Sequence, residues 1–156
     1  MSEVLPWLLL DVGNTAIKWR LSQAEGLLDQ GGRTASDPQA LSEALTGLTW
    51  SQAALTSVAG PSFDGDVIKR LSEISDAPIR QGIAEASRFG LINAYQPPES
   101  IGADRWFAML GAWCEHKGPL CVVDAGTAIT IDVVTVDGHH EGGFIIPGVD
   151  LMRQSL

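Results

Sequence analysis

The sequence is poor in the residues that mark metal-bound and disulfide-rich proteins. Its 156 residues include only two cysteines, Cys114 and Cys121, and these form no Cys-x-x-Cys pair. We therefore expect neither a zinc site nor a disulfide framework, and we expect both side chains to be buried in a reducing compartment. His139 and His140 follow an Asp-Gly turn signal, which predicts solvent exposure rather than metal binding.

Positive charge and long apolar runs are also scarce. The ten lysines and arginines are outnumbered by nineteen aspartates and glutamates, which gives a formal net charge of −9. The basic residues are dispersed along the chain, so we expect no nucleic-acid partner. No apolar run approaches the roughly 20 residues that span a bilayer, and the first residues lack the basic segment of a secretory signal. We therefore expect a globular, cytoplasmic protein without a membrane partner.

The apolar pattern predicts an α/β protein. Strands are predicted at Leu8 to Leu10, Ile17 to Leu21, from Leu27 onward, Ala53 to Ala59, Leu120 to Val123, Ile129 to Val133 and Phe144 to Ile146. Three helices are predicted from apolar faces at Leu41 to Leu48, Val67 to Ile74 and Trp106 to Trp113. Asp37 is expected to cap the first helix and Ser100 the third.

One motif occurs twice, each time between an apolar strand and an alternating one. The two copies are Asp11-Val12-Gly13-Asn14-Thr15 and Asp124-Ala125-Gly126-Thr127. Their aspartates are 113 positions apart (124 minus 11), which is too far for a solenoid repeat. We therefore predict two related lobes: residues 1–98 form the first, and residues 99–156 supply a linking helix and the start of the second. The second lobe has fewer elements than the first, so we expect it to be truncated.

Turns of this kind suit phosphate binding. Glycine lets the backbone approach a ligand, and the following N–H groups and threonine hydroxyl can donate to phosphate oxygens. Asp11 could hold Mg²⁺ directly or through water, and Lys18 could neutralise phosphate charge. Asp-x-Gly is common in ordinary hairpins, but two copies in the same context favour phosphate binding. The sequence has neither a P-loop nor a Gly-x-Gly-x-x-Gly fingerprint.

A third motif, Gly102-Ala103-Asp104-Arg105, falls in the first turn of the predicted third helix. Asp104 could be a general base that takes a hydroxyl proton as the oxygen attacks a γ-phosphate, with Arg105 fixing an anionic substrate. It could equally be a structural residue that complements the helix dipole. The motif alone supports both interpretations about evenly.

Together these motifs resemble the type III pantothenate kinases, members of the acetate and sugar kinase, Hsp70 and actin superfamily. The residues that carry the resemblance are Asp11 to Lys18, Tyr95, Gly102 to Arg105, Asp124 to Ala128 and Gly142 to Gly148. The resemblance implies two actin-like (ribonuclease H-like) lobes with mixed sheets, the second truncated. It also implies ATP-dependent phosphorylation of pantothenate to 4'-phosphopantothenate, the first step of coenzyme A biosynthesis.

The resemblance also implies the site and the partners. Contacts with ATP are expected from Asp11, Val12, Gly13, Asn14, Thr15, Ala16, Ile17, Lys18 and Thr127. Contacts with pantothenate are expected from Tyr95, Gly102, Ala103, Asp104 and Arg105, with Asp104 as the catalytic base. Asp124 is expected to help bind a monovalent cation, K⁺ or NH₄⁺, which the family uses alongside Mg²⁺, and a homodimer is expected. The alternatives are a non-catalytic transcription accessory protein of the same family and a kinase for another small hydroxylated metabolite.

Overall fold

The computed structural model of the protein describes residues 5–23 and 26–155. These residues form ten strands, four helices and a 3₁₀ turn at Pro98–Ser100. The strands are β1 Trp7–Val12, β2 Ala16–Gln23, β3 Gly26–Ala35, β4 Gln52–Ser57, β5 Ile79–Gln81, β6 Ser87–Arg88, β7 Leu91–Ile92, β8 Leu120–Ala125, β9 Ala128–Val134 and β10 His140–Pro147. The helices are α1 Pro38–Ala44, α2 Pro61–Ile74, α3 Ala103–His116 and α4 Val149–Gln154. They belong to two compact units, Met1–Gly82 and Ile83–Leu156.

The first unit is built on a five-stranded mixed sheet with the order β3-β2-β1-β4-β5. Its central strand, β1, pairs antiparallel with β2 and parallel with β4. Because successive side chains of a strand point to opposite faces, Leu8, Leu10 and Val12 are buried on one face. Leu9 and Asp11 therefore lie on the other face of the sheet.

Helices α1 and α2 contribute to the core of the first unit. Three of their side chains are buried in the same cluster as those of β1: Leu41 of α1, and Val67 and Leu71 of α2. The predicted cap of α1 is confirmed, because the Asp37 carboxylate accepts the backbone N–H groups of Gln39 and Ala40 at 3.0 and 3.3 Å. A cap of this kind contributes about 1 kcal/mol to helix stability.

The second unit packs α3 against a three-stranded antiparallel sheet with the order β10-β9-β8. Its core contains Ala84, Leu91, Ile101, Trp106, Met109, Leu110, Trp113 and Val134. The sheet repeats the β3-β2-β1 order of the first unit, with an Asp-x-Gly turn between the last two strands in each case. The repeat found in the sequence is therefore also present in the strand order. No helix in the described part of the chain is long and apolar enough to cross a membrane.

The compact units divide after Gly82, whereas the sequence places the lobe boundary between residues 98 and 99. The difference arises because the loop-rich stretch before Pro98 contributes apolar side chains to the second unit. Ala84 and Leu91 are buried in the same cluster as Trp106 of α3. The division into lobes at residue 98 stays a prediction.

The cap predicted for α3 is wrong. Ser100 ends the 3₁₀ turn, and the helix begins at Ala103 with Gly102 in the capping position. Gly102 makes no side-chain cap, although its carbonyl accepts the Trp106 N–H at 3.1 Å. Asp104 is the acidic residue of the first turn, where its charge complements the helix dipole.

Three burial predictions are also wrong. Cys114 and Cys121 are exposed rather than buried. Cys114 lies beside Trp113 on α3, outside the face that packs on the sheet, and Cys121 alternates with Val122, which packs on the core. His139 is exposed as predicted, but His140 is buried, because β10 begins there and turns its side chain inward.

Candidate active site

The first Asp-x-Gly turn connects β1 and β2. The Gly13 N–H donates to the Ala16 carbonyl at 3.0 Å, which closes the turn. Ser36, which follows β3, fixes it from outside, because its hydroxyl donates to the Gly13 carbonyl at 2.7 Å and its N–H donates to the Thr15 carbonyl. Asn14 and Thr15 are exposed at the tip. The turn is therefore a braced loop that presents its tip to solvent.

Lys18 lies directly opposite Asp11 in the β1–β2 register. The Lys18 Nζ is 3.2 Å from Asp11 Oδ2, and both side chains are about half exposed. The strand that follows the turn thus brings Lys18 back past the aspartate, which is the condition for the predicted phosphate contact. An ion pair this exposed contributes at most about 1 kcal/mol to stability.

The sheet face that carries this ion pair is open. A cavity of about 500 Å³ lies against it, lined by Leu9, Asp11, Lys18, Trp19, Arg20, Gly31, Gly32 and Arg33. Arg33 is the register neighbour of Lys18, so two cationic side chains sit side by side on β2 and β3. This face of the first unit combines one carboxylate with a group of positive charges, which suits a phosphate-bearing ligand.

The second Asp-x-Gly turn connects β8 and β9. The Gly126 N–H donates to the Ala128 carbonyl at 2.9 Å, as the Gly13 N–H does to Ala16 in the first turn. The residue opposite Asp124 is Thr130, whereas the residue opposite Asp11 is Lys18. The two turns therefore share a backbone geometry and differ in the charge placed beside the aspartate.

The segment after β10 returns to the second turn. The Gly148 N–H donates to the Thr127 carbonyl at 2.9 Å. A Cβ atom at Gly148 would overlap the carbonyl oxygens of Gly126 and Thr127, so no other residue fits this approach without a backbone shift. The predicted Gly142 to Gly148 motif is thereby connected to the predicted Asp124 motif by a direct contact.

Asp104 lies in the first turn of α3 and is partly buried. Its Oδ1 accepts the backbone N–H of Arg105 at 2.7 Å. This hydrogen bond holds the carboxylate at the N-terminal end of the helix, where its charge complements the helix dipole. An oriented carboxylate is what a general base requires.

Arg105 is the centre of a buried polar cluster in the second unit. Its Nε and Nη2 donate to the two oxygens of Asp132 at 2.9 and 2.5 Å, and His140 Nε2 lies 2.9 Å from Asp132 Oδ1. The side chains of Arg105, Asp132 and His140 are 6%, 2% and 0% exposed. The hydrogen bonds to Asp132 raise the pKa of Arg105 above its ordinary value, against the opposing effect of burial. The guanidinium is therefore charged and paired.

Tyr95 joins two members of this cluster. The Arg105 guanidinium carbon lies 5.7 Å from the centre of the Tyr95 ring, and the His140 ring stacks on the Tyr95 ring at 5.8 Å with an angle of 23° between the planes. Tyr95 and Arg105, both predicted to contact substrate, are therefore brought together although they are ten positions apart.

Asp132 and His140 are the members of the cluster that sequence reasoning missed. A signal for Asp132 existed, because a single carboxylate stands between Ile131 and Val133 in a strand of alternating apolar residues. Nothing in the sequence connected it with Arg105. The contact between Asp132 and Arg105 depends on the packing of α3 against β9. The contact between Asp132 and His140 depends on the β9–β10 register.

We expect Gly143→Ala to destabilise this cluster. Gly143 is the register partner of Asp132, and a Cβ atom there would overlap Asp132 Oδ1 and the Ile131 carbonyl, and would lie 2.7 Å from Arg105 Nη2. Overpacking of this kind lowers the free energy of unfolding by about 1–3 kcal/mol, which denaturant titration of the full-length protein measures. The matched control is Gly111→Ala in α3, where nothing lies within 4 Å of the added carbon. The control should be neutral or slightly stabilising, and equal losses in both variants would contradict the prediction.

The family model of the type III pantothenate kinases matches residues 7–156. The chain belongs to the type III pantothenate kinase family. It is 40% identical over 154 residues to the type III pantothenate kinase of Marinobacter nauticus and 41% identical over 152 residues to that of an Azoarcus species. Each alignment covers 96% of this chain and 62% or 57% of the relative. The chain thus spans about three fifths of the length of these type III pantothenate kinases.

The fold of this chain is similar to that of solved actin-like structures. It is similar to a Ppx/GppA family protein of Aquifex aeolicus, with a TM-score of 0.52 and 13% identity over 98% of this chain and 55% of that one. It is also similar to the ethanolamine utilization protein EutJ of Carboxydothermus hydrogenoformans, with a TM-score of 0.50 and 14% identity over 90% and 51% of the two chains. At this identity the similarity concerns the fold alone. The α/β, actin-like class predicted from the sequence is confirmed.

Proposed function

We propose that the protein containing this chain transfers the γ-phosphate of ATP to the primary hydroxyl of pantothenate, the first step towards coenzyme A. The observation that carries the proposal is the first turn of α3, which holds Asp104 by a hydrogen bond and places Arg105 against Tyr95. A base and an anion-binding guanidinium in consecutive positions match the two ends of a hydroxy acid. The family membership of residues 7–156 supports the same reaction.

In the proposed reaction, Asp104 accepts the proton of the pantothenate hydroxyl. The oxygen forms a bond to the γ-phosphorus, the bond between that phosphorus and the β–γ bridging oxygen breaks, and ADP leaves. Arg105 binds the carboxylate of pantothenate and Tyr95 packs beside it, with Gly102 and Ala103 completing the substrate contacts. Positioning and electrostatic stabilisation supply most of the rate enhancement in such transfers, and the base supplies roughly 10²–10⁴-fold.

ATP is proposed to bind along the first turn, through Asp11 to Lys18, with Thr127 of the second turn as a further contact. The first turn is braced by Ser36, and Asn14 and Thr15 are exposed at its tip. Lys18 adds a positive charge beside Asp11. Exposed glycine-containing turns with a neighbouring cation suit phosphate oxygens.

Two cations are part of the proposal, Mg²⁺ and a monovalent ion. Among the described residues, no three His, Cys, Asp or Glu side chains gather closely enough to hold a metal ion by themselves. This fits an Mg²⁺ ion that binds through ATP phosphates, water and one carboxylate such as Asp11, as is common in kinases. Asp124, opposite Thr130 rather than a lysine, is proposed for K⁺ or NH₄⁺. Such ions neutralise the charge of the phosphates.

The homodimer, expected from the family resemblance, and the cytoplasmic location, expected from the amino-acid sequence, both stay predictions. Homodimer formation is tested by the mass of the full-length protein in solution. A monomer at the concentrations used for the kinase assay would contradict it.

The function is tested by assaying the full-length protein with ATP, Mg²⁺, K⁺ and pantothenate. We expect ADP and 4'-phosphopantothenate in equal amounts, and a large loss of rate when no K⁺ or NH₄⁺ is supplied. Turnover of another small alcohol without pantothenate turnover would favour the alternative kinase. A folded protein that binds ATP but transfers phosphate to no alcohol would favour the non-catalytic alternative.

Lys18→Met tests the ATP contact separately. We expect KM for ATP to rise roughly 10- to 100-fold, because a charge-assisted hydrogen bond to phosphate contributes about 1.5–3 kcal/mol. KM for pantothenate should stay within twofold. Stability should change by less than about 1 kcal/mol, because the Lys18–Asp11 pair is exposed. The matched control is Lys69→Met on α2 of the same unit, and an equal rise in KM for ATP there would remove Lys18 as a specific contact.

A further inference from the structure

The buried cluster behind Arg105 contains two side chains to which the proposed reaction gives no role, Asp132 and His140. We infer that both are positioning residues, which fix the orientation of the Arg105 guanidinium and so set how strongly the enzyme prefers a substrate that ends in a carboxylate. The inference rests on the proposed function, in which Arg105 binds that carboxylate. It assigns to Asp132 and His140 an effect on substrate choice rather than on the transfer itself.

The geometry of the pair supports a positioning role for Asp132. Both of its oxygens accept hydrogen bonds from Arg105, through Nε at 2.9 Å and Nη2 at 2.5 Å. A bidentate pair of this kind fixes the plane of the guanidinium. It uses two of the five N–H donors, so the remaining donors, on Nη1 and the far side of Nη2, point in directions set by Asp132.

Charge strengthens this argument. Asp132 neutralises Arg105 within the buried cluster, since the two side chains are only 2% and 6% exposed. A neutralised guanidinium attracts a distant carboxylate weakly, and its preference for a carboxylate then depends on the alignment of the N–H donors that remain. Any loss of alignment should therefore affect a carboxylate more than an uncharged group in the same place.

His140 couples this pair to Tyr95. Its Nε2 lies 2.9 Å from Asp132 Oδ1, and because a carboxylate oxygen can only accept, Nε2 carries the hydrogen. Its Nδ1 is buried without a hydrogen-bond partner among the described residues. Its ring also stacks on Tyr95. One side chain thus supports the two residues proposed to hold the far end of the substrate, Arg105 through Asp132 and Tyr95 directly.

A purely structural ion pair is the competing explanation. Removal of such a pair would lower the amount of folded enzyme, and with it the activity towards every substrate by the same factor. A positioning role instead changes the ratio between two substrates that differ only in the carboxylate. That ratio does not depend on the amount of folded enzyme.

The experiment compares kcat/KM for pantothenate with kcat/KM for its alcohol analogue, in which CH₂OH replaces the carboxylate. If the analogue turns over too slowly, its inhibition constant against pantothenate takes the place of its kcat/KM. The full-length protein is measured as wild type, His140→Phe, His140→Gln and Asp132→Glu, which keeps the charge of Asp132 and moves its carboxylate. Phenylalanine keeps a ring against Tyr95 and removes the N–H donor, whereas glutamine keeps a donor and removes the ring. His139→Phe, the exposed neighbour, is the control.

We expect His140→Phe to lower the preference for pantothenate over the alcohol roughly 10-fold, and Asp132→Glu, which keeps the charge that neutralises Arg105 but shifts the carboxylate that aligns it, roughly 10- to 100-fold, since hydrogen bonds to charged groups change binding by such factors. His140→Gln should keep most of the preference, and His139→Phe all of it. KM for ATP should stay within twofold throughout. If Asp132→Glu does not fold, the two His140 variants decide the matter.

The outcomes separate the inference from the function. A wild-type enzyme that does not phosphorylate pantothenate overturns the proposed function, and the inference with it. If the wild-type enzyme phosphorylates pantothenate, but the variants lose activity towards pantothenate and the alcohol by the same factor, the inference is overturned and the function stands.

Discussion

Asp104→Asn is expected to lower kcat for pantothenate phosphorylation by roughly 10²–10⁴-fold, the contribution of a positioned general base. Asparagine has nearly the same shape as aspartate, and its side-chain oxygen can still accept the Arg105 N–H that the Asp104 carboxylate accepts at 2.7 Å. What it loses is the capacity to take a proton. KM for ATP and for pantothenate should therefore change little, and the loss should appear in kcat.

The control for this variant is Asp66→Asn, which removes the same charge from an exposed position on α2. Loss of the carboxylate at the start of α3 also weakens its interaction with the helix dipole, by about 0.3–1 kcal/mol, so both variants are compared by denaturant titration. Full activity of Asp104→Asn would remove Asp104 as the base and leave only its structural role. Equal losses of kcat in both variants would show that the effect is not specific to the site.

The sequence predicts the local parts of this molecule better than their contacts. The two Asp-x-Gly turns and the strands around them depend on neighbouring residues, and the structure has both, with the same hydrogen bond closing each. The Asp37 cap of α1 is likewise a local feature, since the residues it bonds are two and three positions away. Short-range physics is sufficient for such features.

The buried cluster shows where this reasoning stops. Arg105 and Asp132 are 27 positions apart and belong to a helix and a strand, so no local pattern connects them. The alternation of Ile129, Ile131 and Val133 predicts a strand, but it does not say which face is buried. In the structure Asp132 and Val134 point to the core and Val133 is exposed, because α3 covers that face.

The same long-range packing buries apolar side chains that precede Pro98 and reversed the expectation for His140. Residues before Pro98 are rich in loop signals, yet their few apolar side chains are buried against α3. The Asp-Gly turn signal before His139 is real, because Gly138 has a φ of +83° there. The turn ends at His139, and β10 begins at the next residue, His140, whose side chain is buried. A turn signal thus predicts the turn and not the residue after it.

The second large effect concerns stability. Arg105→Met should lower the free energy of unfolding by about 3–5 kcal/mol, because it leaves the buried Asp132 carboxylate with His140 as its one remaining hydrogen-bond partner among the described residues. The double variant Arg105→Met with Asp132→Asn should recover most of this loss. Asparagine carries no charge, and its side-chain oxygen can still accept the His140 N–H. Denaturant titration of the single and double variants measures both values.

The double variant separates folding from substrate binding, because it should fold nearly as well as the wild type and still bind pantothenate poorly. The control is Arg70→Met, which breaks the exposed Arg70–Glu73 pair on α2 and should change stability by less than about 1 kcal/mol. A double variant no more stable than Arg105→Met would mean that the loss comes from packing of the arginine stem and not from an unpaired charge. If the stable double variant also binds pantothenate normally, Arg105 does not bind the carboxylate, and its ion pair with Asp132 serves the fold alone.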